Sequence, residues 1–510
     1  MKGQPLKQYA TKNFNPVVFI TSAVLTISIV CVGIFFREGF QVLTSSVHTF
    51  ITHQFGWLLL LMVSIYLLFC IYLGTSRFGS IKLGPDDSKP DYSYLSWISM
   101  LFSAGIGIGL LFYGVAEPIM HFTAPPGLEP KSIEAAKFAM QTTYFHYGVH
   151  AWAIYVVVGL SLAYFCFRKG ETLSLRSALK PLFGSRMEGL AGDLVDIFAI
   201  LGTLFGVATS LGLGAMQVNS GLNYLLGIEN SVQIQIIVIA GITALATISV
   251  VSGLDRGIKF LSELNMSLAA ILLILIFILG PSVAILNIAT QTGGHYFQTL
   301  VEKTFNVYAF SDQGWVTGWT IFYWAWWLSW APFVGVFIAR ISRGRTIREF
   351  ILNVIFIPTL MSILWFSTFG GTAIHLEING ITSISEAVNT NMSTAIFHFL
   401  QQFPFPVLLC SLAIVIVITF FVTSSDSGSL VIDMLAANGH PDPPTSQRIF
   451  WAVLEGLVAA VLLWGGGQAS LKTLQTGAVA TGLPLGILIL LMGWSLVKAL
   501  RAESLDEEWK

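Results

Sequence analysis

Charge-poor apolar runs recur along this chain at roughly 17–36, 57–74, 94–116, 142–167, 193–223, 234–251, 264–287, 315–339, 350–370, 403–435, 449–465 and 478–498. Each is long enough to span, about 20 residues or more being the length a helix needs to cross the hydrocarbon core of a bilayer. Backbone N–H and C=O groups find no water there, so such runs must be helices or closed barrels, and runs this long are helices. The fold class that follows is an all-α polytopic membrane protein with 12 transmembrane helices. Only 10% of residues are charged, against about 25% in soluble domains. A net charge of −1 makes nucleic acid an unsuitable partner.

Charge also orients the spans. With the N-terminus placed in the cytoplasm, all but five of the 26 basic residues (Arg37, Lys131, Lys137, Lys303 and Lys472) fall in cytoplasmic segments. That is the asymmetry of the positive-inside rule, and it puts both termini in the cytoplasm. Residues 1–16 then form an N-terminal tail with no signal-peptide pattern, and 499–510 a short C-terminal tail. Residues 117–141 and 288–314 read as external segments with short helical pieces, the second partly amphipathic. Cys31, Cys70, Cys166 and Cys410 lie in apolar spans and read as core residues.

One span is exceptionally aromatic. Tyr323, Trp326, Trp327 and Trp330 fall at i, i+3, i+4 and i+7 and share a helical face, while Trp324 points elsewhere. An interfacial aromatic belt uses one or two rings near a helix end. Four on one stripe beside Pro332 suit a cation without N–H groups, held by cation–π attraction. Tyr147, Trp152 and Tyr155 in the fourth span cover an arc of about 140° at 100° per residue and could close a cage from the opposite side. His146 and His150, beside them, read as hydrogen-bonded packing residues. Glu117 reads as a structural or gating acid at the outer mouth.

Two further segments are unusual. Gly105, Gly107 and Gly109 alternate with isoleucines in the third span, which places them on no single face and lowers helix propensity by about 1 kcal/mol each. An unwound stretch is expected, and unwound backbone within a membrane lines a cavity or site. Thr419–Ser429 carries six hydroxyls and Asp426, a density suited to a hard monovalent cation, although hydroxyls can also bond back to the i−4 carbonyl. Phosphate-binding loops, zinc-protease and nucleophile-elbow motifs are absent from the sequence, so neither an enzyme nor an ATP-driven pump is expected.

These residues resemble the betaine/choline/carnitine transporter (BCCT) family. The resemblance rests on Gly105-Ile106-Gly107-Ile108-Gly109 running to Ala116-Glu117-Pro118, on Trp319 to Trp327, on Ala339-Arg340-Ile341-Ser342-Arg343-Gly344-Arg345 and on Thr423-Ser424-Ser425-Asp426-Ser427, and it covers about residues 13–500. It implies a leucine-transporter-type inverted repeat: two peripheral helices (17–92), a first five-helix repeat (93–287), an external connection (288–314) and a second repeat (315–498). The sequence itself predicts that span three and span eight, the first of each half, are the interrupted ones. The resemblance also implies an osmoprotective importer in the inner (plasma) membrane, working by ion-coupled alternating access on a quaternary amine, with membrane lipid and homotrimer partners and no cofactor beyond a coupling ion, sodium or a proton. The implied substrate box is Tyr147, Trp152, Tyr155 and Trp327, with Phe322, Trp326 and Trp330 along the path and Gly107 and Gly109 beside it. The implied cation site is the backbone of Ser103, Ile106 and Phe420 with the hydroxyls of Thr423 and Ser424.

Departures from the family pattern refine the expectation. The choline branch usually places an aspartate where this chain has Gly109. A carboxylate there helps a net cation and repels the carboxylate of glycine betaine, so Gly109 favours glycine betaine, with choline close behind. A second sodium site is matched by Thr203 and Phe333 but broken by Val207, and Met266 stands where the ion-independent carnitine exchanger has an arginine. One sodium at most, or a proton, is therefore expected. The short tail predicts weak osmotic activation through it. A proton-coupled choline-only importer, an aromatic-lined channel and a non-transporting amine receptor are the alternatives.

Overall fold

A computed structural model describes residues 14–105, 107–252, 254–440 and 443–508. Among them the chain is helical with no strand beyond one antiparallel bridge between Lys82 and Thr346. Among the described residues eleven helices are long and apolar enough to cross a membrane, one fewer than the apolar runs predict. The difference is the glycine-rich third run, which is split between α3 and α4 below and so falls short as a continuous helix.

The helices used here are α1 (Pro16–Phe35), α2 (Arg37–Thr75), α3 (Tyr94–Gly105), α4 (Ile108–Thr123), α5 (Ile133–Tyr147), α6 (Val149–Ala163), α7 (Leu190–Leu226), α8 (Val232–Ser252), α9 (Leu254–Leu279), α10 (Ser282–Gln298), α11 (Phe322–Arg340), α12 (Ile347–Phe366), α13 (Pro406–Ala436), α14 (Thr445–Gly466) and α15 (Ser470–Glu508). Local chemistry sets several starts. The Asn15 side chain accepts from the N–H groups of Val17 and Val18, and Pro16 fills the first helical position, where no donor is needed. Ser132 caps α5 in the same way.

Four sequence expectations need correction. Residues 117–141 are mostly helix: α4 continues through Pro118 to Thr123 and α5 begins at Ile133. Pro118 costs α4 one hydrogen bond, but Gly370 packs so closely on the proline ring that a Cβ there would come within 2.3 Å of it, and this buried packing holds the helix together. Span eight is not interrupted. After a π turn at Thr317–Ile321, α11 runs through Pro332 to Arg340, because its fully buried aromatic face outweighs the one bond lost at the proline. Span four is the one that bends. Gly148 is non-helical (φ −94°, ψ −145°) and the Tyr296 hydroxyl accepts from the Val149 N–H at 3.0 Å. Any arc drawn continuously through Tyr147 and Trp152 therefore fails. Lastly, 499–508 is the end of α15 rather than a separate tail, and Glu503 accepts from Tyr164 at 2.5 Å and pairs with Arg168 and Lys169.

Buried α11 packs chiefly on α6, α7 and α15, and α13 packs on α7. The arginine-rich loop after α11 ties the basic end together. Leu83 and Gly344 exchange backbone bonds with Arg345 and Leu83 at 2.8 Å, Arg345 bonds the Tyr92 carbonyl and lies 4.6 Å from the Trp97 ring, and Trp97 donates to Ser342. The start of the broken helix is thus anchored.

Candidate functional site

The chain between α3 and α4 leaves the helical path at Gly107 (φ −133°, ψ −155°), and α4 restarts at Ile108. The first N–H groups of a helix have no partner within it and carry the positive end of its dipole. Two side chains hold this restarted turn in place: Trp365 donates to the Leu110 carbonyl at 3.0 Å and Gln217 to that of Leu111 at 2.9 Å. Facing the break is a cavity lined by Gly107, Gly109, Tyr147, Trp152, Tyr155, Trp326, Trp327 and Trp330, with Leu110, Ala151, Ser210 and Ser362. It offers about 20 Å³ to the centre of a water-sized molecule, room for one or two waters. The rings stand closed on one another.

Their geometry is that of a cage. Trp326 and Trp327 are stacked (4.9 Å, 10°), Tyr147 and Tyr155 meet Trp327 edge-on at 5.4 and 6.5 Å, Trp152 meets Tyr155 at 5.6 Å, and Trp330 stands edge-on to Trp326 at 6.4 Å. Trp327 Nε1 is held by the His146 carbonyl at 2.9 Å. Gly206 on α7 makes room for the tryptophan face, since a Cβ there would lie 2.6 Å from Trp330 Cδ1. Two buried donors of the lining, the Tyr155 hydroxyl and Trp330 Nε1, have no hydrogen-bond partner. A buried donor left unpaired costs about 1–3 kcal/mol, which a ligand with acceptor oxygens would recover.

Of the nine predicted substrate residues, eight line this one cavity. Phe322 does not; it stacks behind Trp326 (5.4 Å, 18°). Trp324 points away, as its register predicts, and packs on Phe145 and His150.

The predicted cation residues are less fully assembled. Ile106 lies outside the described residues. Ser103 sits in the last turn of α3, where carbonyls lack helical partners. Ser424 Oγ lies 4.0 Å from where a Cβ on Gly107 would stand, so it borders the break. Thr423 bonds back to the carbonyls of Thr419 and Phe420 at 3.0 and 3.1 Å and accepts from Asn265 at 2.9 Å. Asn265, which the sequence reading did not single out, therefore occupies the hydroxyl a cation would need. Of the second-site residues, Thr203 is buried with its hydroxyl unpartnered, and Val207 packs near Gly428. Asp426 accepts from Ser249 at 2.6 Å and does not line the cavity.

Glu117 is fully buried rather than at a mouth. Its carboxylate meets His146 Nδ1 at 2.6 Å, His121 Nε2 at 3.3 Å and the Tyr323 hydroxyl. Sequence spacing shows that Glu117 and His121 share a face at i and i+4; nothing in it brings His146 to them. Nearby Lys303, outside the spans, donates to Thr142 at 2.8 Å, and burial pushes its ammonium down to about 8.

A family described as BCCT, betaine/carnitine/choline family transporter, matches residues 17–505. The chain is 46% identical to the glycine betaine transporter of Acinetobacter baylyi, over 96% of this chain and 74% of that one. It is 45% identical to glycine betaine transporter 1 of Vibrio parahaemolyticus, over 96% and 94%. A glycine betaine/proline/choline/ectoine transporter of the same organism is 48% identical, over 89% of this chain and 81% of its own.

Proposed function

The chain belongs to the betaine/carnitine/choline transporter family, and on that premise we propose that it imports glycine betaine by ion-coupled alternating access, for osmoprotection. It is a multi-pass plasma-membrane transporter of a small quaternary amine, not an enzyme. The cage of Tyr147, Trp152, Tyr155, Trp326, Trp327 and Trp330 against the Gly107–Gly109 break is the observation that carries this reading. A trimethylammonium group has no N–H to donate, so a desolvated aromatic cage is the recognition it can use. The carboxylate of glycine betaine needs donors, and Tyr155, Trp330 and the N-terminal turn of α4 supply them. Because the rings stand closed, the substrate must part them, as alternating access requires.

Choline is the second reading, favoured by the buried Glu117 one tyrosine behind the cage. The test is uptake of labelled glycine betaine and of choline into proteoliposomes at fixed pH and membrane potential, with and without an inward sodium gradient. Concentrative, saturable glycine betaine uptake is expected. Non-saturating flux without counterflow would indicate a channel, and choline uptake with glycine betaine excluded would overturn the substrate assignment.

For the coupling ion we place one cation between the end of α3 at Ser103, the Phe420 carbonyl and the hydroxyls of Thr423 and Ser424, with Asn265 turning aside when it binds. Thr423→Ala combined with Ser424→Ala is expected to abolish stimulation by sodium, read as the ratio of uptake with and without the gradient. An unchanged ratio would remove sodium from this position. Both termini are assigned to the cytoplasm by the distribution of lysine and arginine, and a homotrimer in contact with lipid is the expected assembly.

A further inference from the structure

The acid cluster behind the cage carries an inference that rests on the transport reading. Glu117 Oε1 lies 2.6 Å from His146 Nδ1 and 3.3 Å from His121 Nε2, both of which donate to it when it is ionised, and Oε2 accepts from Tyr323. Three donors converge on a carboxylate with no cationic side chain bonded to it. Other titratable groups facing it are Tyr113 on its own helix, whose ring is 5.5 Å from that of Tyr323, and Lys303, turned toward Thr142 and the Phe138 ring. Elsewhere on the elements packed against α4, Lys131 pairs with Glu377, Glu386 is exposed, and His375 and His398 are partly exposed. With the carboxylate ionised and both imidazoles neutral, the cluster carries one negative charge and no bonded cation to offset it.

It is also built to accept a proton without breaking a hydrogen bond. His146 Nε2 faces the Thr320 hydroxyl at 2.8 Å. A hydroxyl can donate to a neutral imidazole or accept from a protonated one, so His146 can carry a proton on its way to the Glu117 carboxylate with both ring nitrogens still paired. The state of the cluster reaches the cage through two hydroxyls. The Tyr323 proton is committed to Glu117, so in the 3.2 Å contact between Tyr147 and Tyr323 the donor must be Tyr147. Its single proton is shared between Tyr323 and the Gly109 carbonyl, 3.3 Å away. When the carboxylate holds the proton on Oε2, Oε1 still accepts from the two imidazoles, Tyr323 accepts from Glu117 and donates to Tyr147, and the Tyr147 proton is released toward Gly109 and the cavity it lines.

We propose that Glu117, His121 and His146 form a proton-binding site whose occupancy Tyr323 passes to Tyr147, so that a bound proton favours substrates bearing a carboxylate. Glu117 and Tyr323 are positioning residues in this scheme; Tyr147 is the one that faces substrate.

The test uses the full-length protein in lipid nanodiscs. Tryptophan fluorescence would give affinities for glycine betaine and choline between pH 5.5 and 8.5, and a pH dye in weak buffer would report protons taken up on binding. Glycine betaine affinity is expected to fall as pH rises, by up to about tenfold per unit, the limit for one linked proton, with protons taken up on binding; choline should change much less. Tyr323→Phe keeps the ring and every charge but cuts the relay, and should flatten the glycine betaine profile, as should Glu117→Gln. Glycine betaine binding that is independent of pH and takes up no proton would overturn the relay alone, as would a wild-type profile in Tyr323→Phe. No binding of either amine at any pH would overturn the transport reading and the relay together. Should Glu117→Gln fail to fold, wild-type proton uptake and Tyr323→Phe decide the matter.

Discussion

Trp327→Leu is expected to weaken glycine betaine binding by thirtyfold or more, the largest loss of any single cage substitution. Trp327 is the ring on which the others converge: Trp326 stacks on it, Tyr147 and Tyr155 meet its plane edge-on, and its Nε1 is tied to His146. A desolvated cation–π contact contributes about 2 kcal/mol or more, which corresponds to roughly thirtyfold in a dissociation constant. Leucine keeps the helix and most of the apolar bulk but removes the ring quadrupole. Trp327→Tyr should recover part of the loss and Trp327→Leu none. Trp324→Phe provides the contrast, because Trp324 packs on Phe145 and His150 away from the cavity; it should lower thermal stability and leave affinity within a few-fold. Affinities equal to wild type in Trp327→Leu would remove the cage from substrate recognition.

The aromatic face was legible because a helix repeats every 3.6 residues and α11 is continuous across it, so register alone puts Trp326, Trp327 and Trp330 together and sends Trp324 away. Phe322 came from the family resemblance and not from register. It falls one turn before Trp326 and shares its stripe, yet only depth along the helix decides that it stacks behind Trp326 rather than facing the cavity. The glycine-broken third span was legible from propensity and alternation. The interruption expected in span eight is absent, since the packing that carries a fully buried helix through Pro332 is not written in its own sequence. Tyr147 could not be aimed from spacing because Gly148 breaks the helix just after it, and what breaks it is Tyr296, about 150 residues further along. Asn265 on Thr423 and His146 on Glu117 are likewise long-range pairings, beyond the reach of any local pattern.

Gly109→Asp is expected to reverse the substrate preference, raising choline affinity and lowering that for glycine betaine so that their ratio shifts by ten- to a hundredfold. A Cβ on Gly109 would sit 3.3 Å from the Tyr147 hydroxyl and 3.4 Å from Trp326, so the two rings must yield by a few tenths of an ångström and the new carboxylate would stand at the cage wall. Two unit charges about 5 Å apart interact by about 3 kcal/mol at an effective dielectric of 20. That attraction helps a bare cation. For glycine betaine the opposing term on its own carboxylate cancels much of it, and the aspartate would also draw the Tyr147 proton away from the substrate. Steric crowding alone could mimic a loss, and Gly109→Asn separates the two causes because it has the same shape without the charge. Crowding predicts that Asn and Asp reduce both substrates alike. Charge predicts that Asn lowers both modestly while Asp lowers glycine betaine and raises choline. If the two variants behave alike, glycine at this position serves the fit of the rings, and the choice between zwitterion and cation must be made by Glu117 and the hydroxyls in front of it.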